Sequence, residues 1–174
     1  GIRKAIEEGV DIINMSLGSP SEPPESFHQI IKDAHDRGIF IVAAAGNDGN
    51  AVNWPARYDE VIAIGAINEN GDLTDFSSRG PEICLIAPGD NIYSTWLNNG
   101  YAVLRGTSQA SPFVTGIIAL ILATHRANPD MPQIKTLADL FVELNKLCDP
   151  KGRICDGKDG NFGFGIPKFP INKC

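Results

Sequence analysis

Gly106-Thr107-Ser108 stands directly before a long apolar stretch that opens with Gln109-Ala110-Ser111-Pro112. A glycine there lets the backbone turn tightly and lets another chain approach closely. A serine in the first turn of a helix meets unpaired N–H groups and the positive end of the helix dipole, and both favour negative charge. Ser108 therefore has the setting of an acyl-transfer nucleophile. Its Oγ can attack a carbonyl, and its own N–H can stabilise the oxyanion that results. Taken alone, the segment also reads as a helix cap, the commoner use of Thr and Ser at such a place.

Two further segments bear on the same chemistry. Ala43-Ala44-Ala45-Gly46-Asn47-Asp48-Gly49 carries an apolar strand into a glycine and an amide side chain. In open α/β folds ligands bind at the carboxyl ends of parallel strands, so Asn47 there can donate an amide N–H to an oxyanion. An ordinary Asn-containing turn is the alternative. Ser16-Leu17-Gly18 also follows a short apolar strand, and by itself reads as a polar loop.

The elements that must position these residues alternate along the chain. Ile2 to Glu8 reads as the end of an amphipathic helix stopped by Gly9, and Val10 to Met15 as a short strand. Glu25 to Arg37 has helical periodicity, with Phe27, Ile30, Ile31 and Ala34 on one face and Gly38 as its stop. Ile39 to Ala45, Val61 to Ala66 and Ile83 to Ala87 are continuous apolar runs, the mark of strands buried on both faces. Ile92 to Trp96 and Tyr101 to Leu104 flank Asn98-Asn99-Gly100, which predicts a hairpin. Helices are predicted over Ser108 to His125 and, with Pro132 in its first turn, over Pro132 to Leu147. The tail from Asp149 is rich in Gly, Asp and Pro and reads as irregular. Strands alternating with helices, with the strands fully apolar, predict an α/β fold with a mainly parallel sheet.

Composition bounds the rest. The 174 residues are 43% hydrophobic and 21% charged, within the range of one globular domain. A net charge of −6 offers no basic face for nucleic acid. No apolar run reads as long enough to span a bilayer. The four cysteines, Cys84, Cys148, Cys155 and Cys174, contain no C-x-x-C pair, which argues against zinc. Cys84 lies in an apolar run and reads as a small buried hydrophobe. Cys148 and Cys155 are spaced to close a short loop in an oxidising compartment, and free thiols are the other reading. Asp149, Asp156 and Asp159 offer a possible calcium site without EF-hand spacing, and a solvated acidic turn is the plainer reading.

Three segments in this order, with several others, resemble the subtilisin family of serine proteases over nearly the whole chain. Asp11 to Gly18 looks like the family's strand and substrate-binding edge, and Val42 to Asn47 like the strand that ends in the oxyanion Asn. Val61 to Ala66, Phe76-Ser77-Ser78-Arg79-Gly80-Pro81 and Ala87-Pro88-Gly89 match further family stretches. Gly106-Thr107-Ser108 matches the nucleophile motif, and Gly163-Phe164-Gly165 the closing Gly-x-Gly. The resemblance implies a three-layer subtilisin-like fold that lacks its N-terminal strands, with the chain forming the C-terminal part of one peptidase domain. It implies Ser108 as nucleophile and Asn47 as side-chain oxyanion donor. Ser16, Leu17 and Gly18 are expected to pair with a peptide backbone as an added strand, a recognised mode of peptide capture. Ala44, Ala45 and Gly46 are expected to line the pocket for the side chain before the scissile bond, with Asn53 near its base, and Thr107 is expected to join the substrate-binding residues. Trp54-Pro55 resembles an aromatic-Pro pair that is cis in the family. A wall of small residues suggests an uncharged side chain in the pocket.

There are departures from the family pattern. Gln109 stands where many members have Met, and Phe113 where many have His. Cys84 occupies the place of a cation-binding Asp in some members, so no cofactor is expected beyond a possible structural calcium. The family's triad runs Asp, then His, then Ser. The chain contains no Asp-Thr-Gly, Asp-Ser-Gly or His-Gly-Thr. His28 and His35 read as exposed helix positions, and His125 as a favourable cation near a helix end. The Asp and His are therefore expected upstream of Gly1, in the N-terminal portion of the same domain. The expected function is serine endopeptidase action on peptides or proteins, with the chain alone inactive. Family members being mostly secreted, the resemblance implies an extracellular location. The competing reading is a non-catalytic relative that keeps a peptide groove. A nucleotide-binding domain is set aside, because neither G-x-G-x-x-G nor a P-loop occurs.

Overall fold

The computed structural model describes residues 1–149 and 160–167. Its centre is a four-stranded parallel sheet of β1 (Ile12–Met15), β2 (Phe40–Ala44), β3 (Val61–Ile67) and β4 (Ile83–Pro88), in the spatial order β1-β2-β3-β4. Every residue of β2 and β3 is buried, which is what their unbroken apolar runs require.

Alternate side chains supply two cores. Met15, Ile41, Ala43 and Ala45 pack with Ile31 and Ala34 of α2 (Glu25–Asp36), and Ile2 and Ile6 of α1 (Ile2–Glu8) rest against them. Val52, Ala56 and Tyr58, from the β2–β3 connection, join the same cluster. Both crossovers thus lie on one face, as same-handed connections between sequential parallel strands require. Phe40, Val42, Ile62 and Ile64 point the other way, onto Val114 and Ile118 of α3 (Thr107–Ala127) and Leu140 and Leu144 of α4 (Leu137–Leu147). The result is three layers, helix on sheet on helix.

The hairpin forms from β5 (Ile92–Trp96) and β6 (Gly100–Leu104). Asn98 and Asn99 have φ of 56° and 58°, the left-handed pair a tight primed turn needs. Asn-Asn tolerates that conformation better than other non-glycine residues.

Four sequence expectations change. The second C-terminal helix begins at Leu137 and not at Pro132. Thr136 and Asp139 form a reciprocal capping box, with Asp139 N–H donating to Thr136 Oγ1 and Thr136 N–H to Asp139 Oδ2. Pro132 lies in the preceding loop, where its carbonyl is 2.7 Å from His125 Nδ1. His125 is therefore buried, 3% exposed, and joins α3 to that loop instead of standing at the surface. His28 is half-buried as well, stacked on Tyr58 at 3.9 Å and 3.1 Å from Glu60 Oε2. Finally, α3 has 21 residues and is apolar enough along its length to match a membrane span. Its Val114, Ile118, Ile121 and Leu122 are instead packed on the sheet.

The described part of the tail is more regular than its composition suggests. β7 (Cys148–Asp149) pairs antiparallel with β8 (Ile166–Pro167), and Phe164 N–H and Gly165 C=O bond to Cys84 and Ile86 along β4. The Gly163-Phe164-Gly165 segment thus closes one side of the sheet. Cys84 is buried among apolar neighbours, as expected. Cys148 is half-buried, and burial pushes its thiol up to about 11. Its suggested pairing with Cys155, and the Asp156 and Asp159 part of the acidic cluster, lie outside the described residues.

Candidate active site

The three segments singled out by chemistry lie at the carboxyl ends of the sheet strands or of the elements that follow them. β1 runs into Ser16, β2 into Gly46 and Asn47, and β4 through the hairpin to Gly106 and α3. This is where a parallel sheet splays its loops and presents ligand-binding groups.

Gly106 is the N-cap of α3, with φ 149° and no side-chain capping bond. A Cβ at that position would sit 3.2 Å from Asn47 Nδ2 and 2.9 Å from Gln109 Oε1, in a conformation that L side chains rarely adopt. The glycine thus brings the helix start up against Asn47. Neither Thr107 nor Ser108 caps the helix, so the capping alternative falls away.

Thr107 is fully buried and is turned toward β2. Its N–H donates to Asn47 Oδ1 at 2.8 Å, and its Oγ1 lies 2.9 Å from the same oxygen. The same hydroxyl accepts from Gly46 N–H at 3.1 Å. With its carbonyl oxygen held twice, the Asn47 amide has one possible orientation, Nδ2 outward. Among the described residues Asn47 Nδ2 has no hydrogen-bond partner, and neither has Ser108 N–H. Two free donors therefore flank the nucleophile candidate, the arrangement an oxyanion site requires.

The loop behind Asn47 is pinned as well. Asp48 Oδ1 accepts from Ser78 Oγ at 2.8 Å and from Asn50 N–H at 3.2 Å, and these bonds hold its carboxyl below the ordinary 3.8. Gly46 has φ 117°, and a Cβ there would meet Asn53 Nδ2 at 2.5 Å and Ser78 Oγ at 2.6 Å. Asn53 and Gly46 are thus brought together. Asn53 Cβ and the Ala44 carbonyl also border Gly18. Ala45 contributes through its backbone: its methyl belongs to the core, while its C=O accepts from Asn53 N–H at 2.8 Å. The Trp54-Pro55 bond is cis, and Trp54 exchanges two backbone bonds of 2.9 Å with Ser19.

Leu17 is 59% exposed, and neither it nor Gly18 spends a backbone group on a hydrogen bond among the described residues. An unpaired extended segment of this kind can accept an incoming strand. Ser108 is partly exposed, and its Oγ donates to the Ser16 carbonyl at 3.2 Å.

No histidine of the chain adjoins Ser108. His125 lies seventeen residues along the same helix, about 25 Å away at 1.5 Å per residue. His28 and His35 belong to α2 on the opposite face of the sheet. Among the described residues no group of three or more His, Cys, Asp or Glu is placed to hold a metal ion.

Beside Ser108, away from Asn47, runs a cleft of about 500 Å³ bordered by Tyr93, Trp96, Leu104, Gln109 and Phe113. Sequence reasoning had not singled out its aromatics. The signal was present in the hairpin, whose Tyr93 and Tyr101 are 68% and 62% exposed and stack on each other at 5.2 Å. The side-chain part played by Ser16 was missed as well, because it depends on a residue 92 positions away.

The subtilase family model matches residues 1–141, and the chain belongs to that family. It is 37% identical over 171 residues to the minor extracellular protease Epr of Bacillus subtilis, covering 97% of this chain and 25% of that protein. It is 47% identical over 130 residues to subtilisin DY of Bacillus licheniformis, covering 72% of this chain and 47% of the relative. The major intracellular serine protease of Bacillus subtilis is 46% identical over 70% of this chain and 40% of its own length. The chain thus spans from a quarter to just under half of these curated relatives. Among solved structures, that of the prenylagaramide maturation protease PagA superposes with a TM-score of 0.78 at 28% identity, covering 96% of this chain and 62% of that one.

Proposed function

We propose that the protein acts as a serine endopeptidase in which Ser108 attacks the scissile carbonyl and the Ser108 N–H and Asn47 Nδ2 receive the oxyanion. The observation that carries this reading is the Thr107–Asn47 contact. It holds the amide carbonyl twice and leaves Nδ2 free beside an equally free Ser108 N–H. A site that only binds peptide has no use for such an arrangement, which disfavours the non-catalytic reading. The peptide lies along Leu17 and Gly18. Its side chain before the scissile bond enters the small-walled space among Ala44, Gly46 and Asn53, which favours an uncharged group.

The missing general base and its carboxylate partner come from the N-terminal portion of the same domain, as the family's Asp, His, Ser order implies. Ser108 Oγ now donates to a carbonyl, which cannot take its proton. In the assembled site a histidine takes that proton as the Oγ–C bond forms. It then returns the proton to the leaving amine, and water repeats the cycle on the acyl-enzyme. Bringing a histidine to Ser108 means docking another layer on this surface, and the open edge of β1 and the outer face of α3 suit such a layer. An extracellular site of action is supported by the extracellular relative, which aligns with nearly the whole chain. Intracellular relatives match less of it.

The test is hydrolysis of a peptide amide by the full-length protein, with labelling of Ser108 by a sulfonyl fluoride. Turnover that disappears in Ser108→Ala supports the reading. A folded full-length protein that neither cleaves nor is labelled would mean a peptide-binding relative.

A further inference from the structure

The hydrogen-bond ladder at the start of α3 has a gap. In an α-helix the N–H of each residue donates to the carbonyl four residues back. Pro112 lies inside α3 and has no N–H, so the Ser108 carbonyl is denied its helical donor. That carbonyl is nevertheless satisfied, because Ser16 Oγ donates to it at 2.8 Å from the end of β1.

The polar neighbours of Ser16 Oγ decide the direction of each bond. They are the Ser108 carbonyl, Ser111 Oγ at 3.0 Å and Asn14 Nδ2 at 3.0 Å. A hydroxyl has one hydrogen to give and two lone pairs. The carbonyl can only accept and the amide nitrogen can only donate, so the Ser16 hydrogen goes to Ser108. Ser111 then donates its own hydrogen to Ser16, and every hydrogen-bonding capacity of Ser16 Oγ is filled. Thr115 Oγ1 lies 2.9 Å from Asn14 Oδ1 and 3.0 Å from the Ser111 carbonyl, and its one hydrogen can serve either. In return, Ser108 Oγ donates to the Ser16 carbonyl at 3.2 Å.

We infer that the Ser16 side chain is a positioning residue for Ser108, replacing the helical hydrogen bond that Pro112 removes. The first turn of α3 is thereby fastened to β1 as well as to its own helix. The peptide unit that follows Ser108 is held on the same framework that carries Leu17 and Gly18. The inference rests on Ser108 being the nucleophile. It adds a side-chain role to the backbone role expected of Ser16 in peptide capture.

The two roles separate kinetically. Loss of substrate pairing raises KM, whereas a misplaced nucleophile lowers kcat. In the full-length protein, Ser16→Ala is expected to lower kcat about tenfold, the size of one net hydrogen bond, with KM changed less than about twofold. Pro112→Ala restores an N–H four residues after Ser108. In that background the same Ser16→Ala change is expected to alter kcat by less than about twofold, because the helix then supplies its own donor. Should Ser16→Ala alone fail to fold, the Ser16→Ala/Pro112→Ala protein is expected to fold and turn over. Equal losses in both backgrounds, no loss in either, a change confined to KM, or failure of the double variant to fold would each overturn the inference. Parent-like turnover in Ser108→Ala would instead sink the nucleophile reading itself.

Discussion

Asn47 is an exposed amide on a loop, yet it is held as firmly as a core residue because Thr107 grips its carbonyl oxygen from two atoms. A preorganised donor stabilises developing charge without having to reorient during reaction. Asn47→Ala in the full-length protein is expected to lower kcat by about 10²–10³, the range known for loss of this kind of donor in a subtilisin, with little change in KM. Thr107→Val keeps the shape and the backbone N–H but removes the hydroxyl, so a smaller loss of about tenfold is expected. Steady-state kinetics on one peptide amide checks both. A Thr107→Val loss exceeding that of Asn47→Ala would show that Thr107 acts by some route other than the amide. Asn47 was proposed from its place after a buried strand together with the family resemblance, since the segment alone also reads as an Asn turn. Its orientation was not legible in the sequence, because that depends on a threonine 60 positions later.

Among the elements, β1 and α3 are joined at both ends. Near Ser108 the link is the Ser16 network, and at the far end Arg126 grips Asp11 with two guanidinium nitrogens. The Arg126 hydrogen bond holds the Asp11 carboxyl below its ordinary 3.8. A carboxylate depressed in the folded state contributes stability above its unfolded pKa and loses it as pH falls through the folded value. The Asp11 side chain is 49% exposed, so solvent screening keeps the pair under about 1 kcal/mol. In an inactive Ser108→Ala background that avoids autolysis, Asp11→Asn is expected to melt slightly lower than its parent at pH 7. The two melting curves should converge once pH falls below the folded value, which lies under 3.8, and in high salt. A difference that persists in high salt at pH 7 would mean that Asp11 acts through something other than its charge. The element boundaries also show where local chemistry outranks a plausible proline. Pro132 suits a first turn, but the Thr136–Asp139 capping box decides where α4 begins.

At the scale of the molecule, the two faces of the sheet are treated differently. Ile31 and Ala34 of α2 are fully buried, whereas α3 leaves Phe113 at 45% and Leu120 at 49% exposure and the hairpin leaves Tyr93 and Tyr101 exposed. Among the described residues β1 has a ladder partner on one side only. Open edges and adjoining apolar surface invite association. The chain alone is therefore expected to run above monomer size in gel filtration, to melt without a cooperative transition and to leave peptide amides intact. Co-expression with the N-terminal portion proposed above should give a compact, cooperatively melting particle that cleaves. A stable, cooperative monomer from the chain alone would show that its surface needs no further layer.

Sequence alone determined the class of fold and proposed which residues bear the chemistry. The reason is that both are written in short-range terms: uninterrupted apolar runs for buried parallel strands, glycines where backbones crowd, and a nucleophile motif directly before a helix. Tertiary structure decided what those residues do to one another. It turned Thr107 inward as the holder of Asn47 when local propensity favoured a cap. It buried His125 against Pro132 where its position in the chain suggested only a favourable cation near a helix end. It gave the carbonyl freed by Pro112 to Ser16, a residue on another element. Each of these outcomes is a hydrogen bond between groups distant in the chain. Such a bond is specified by which elements the two cores bring together, and no local pattern of residue types records it.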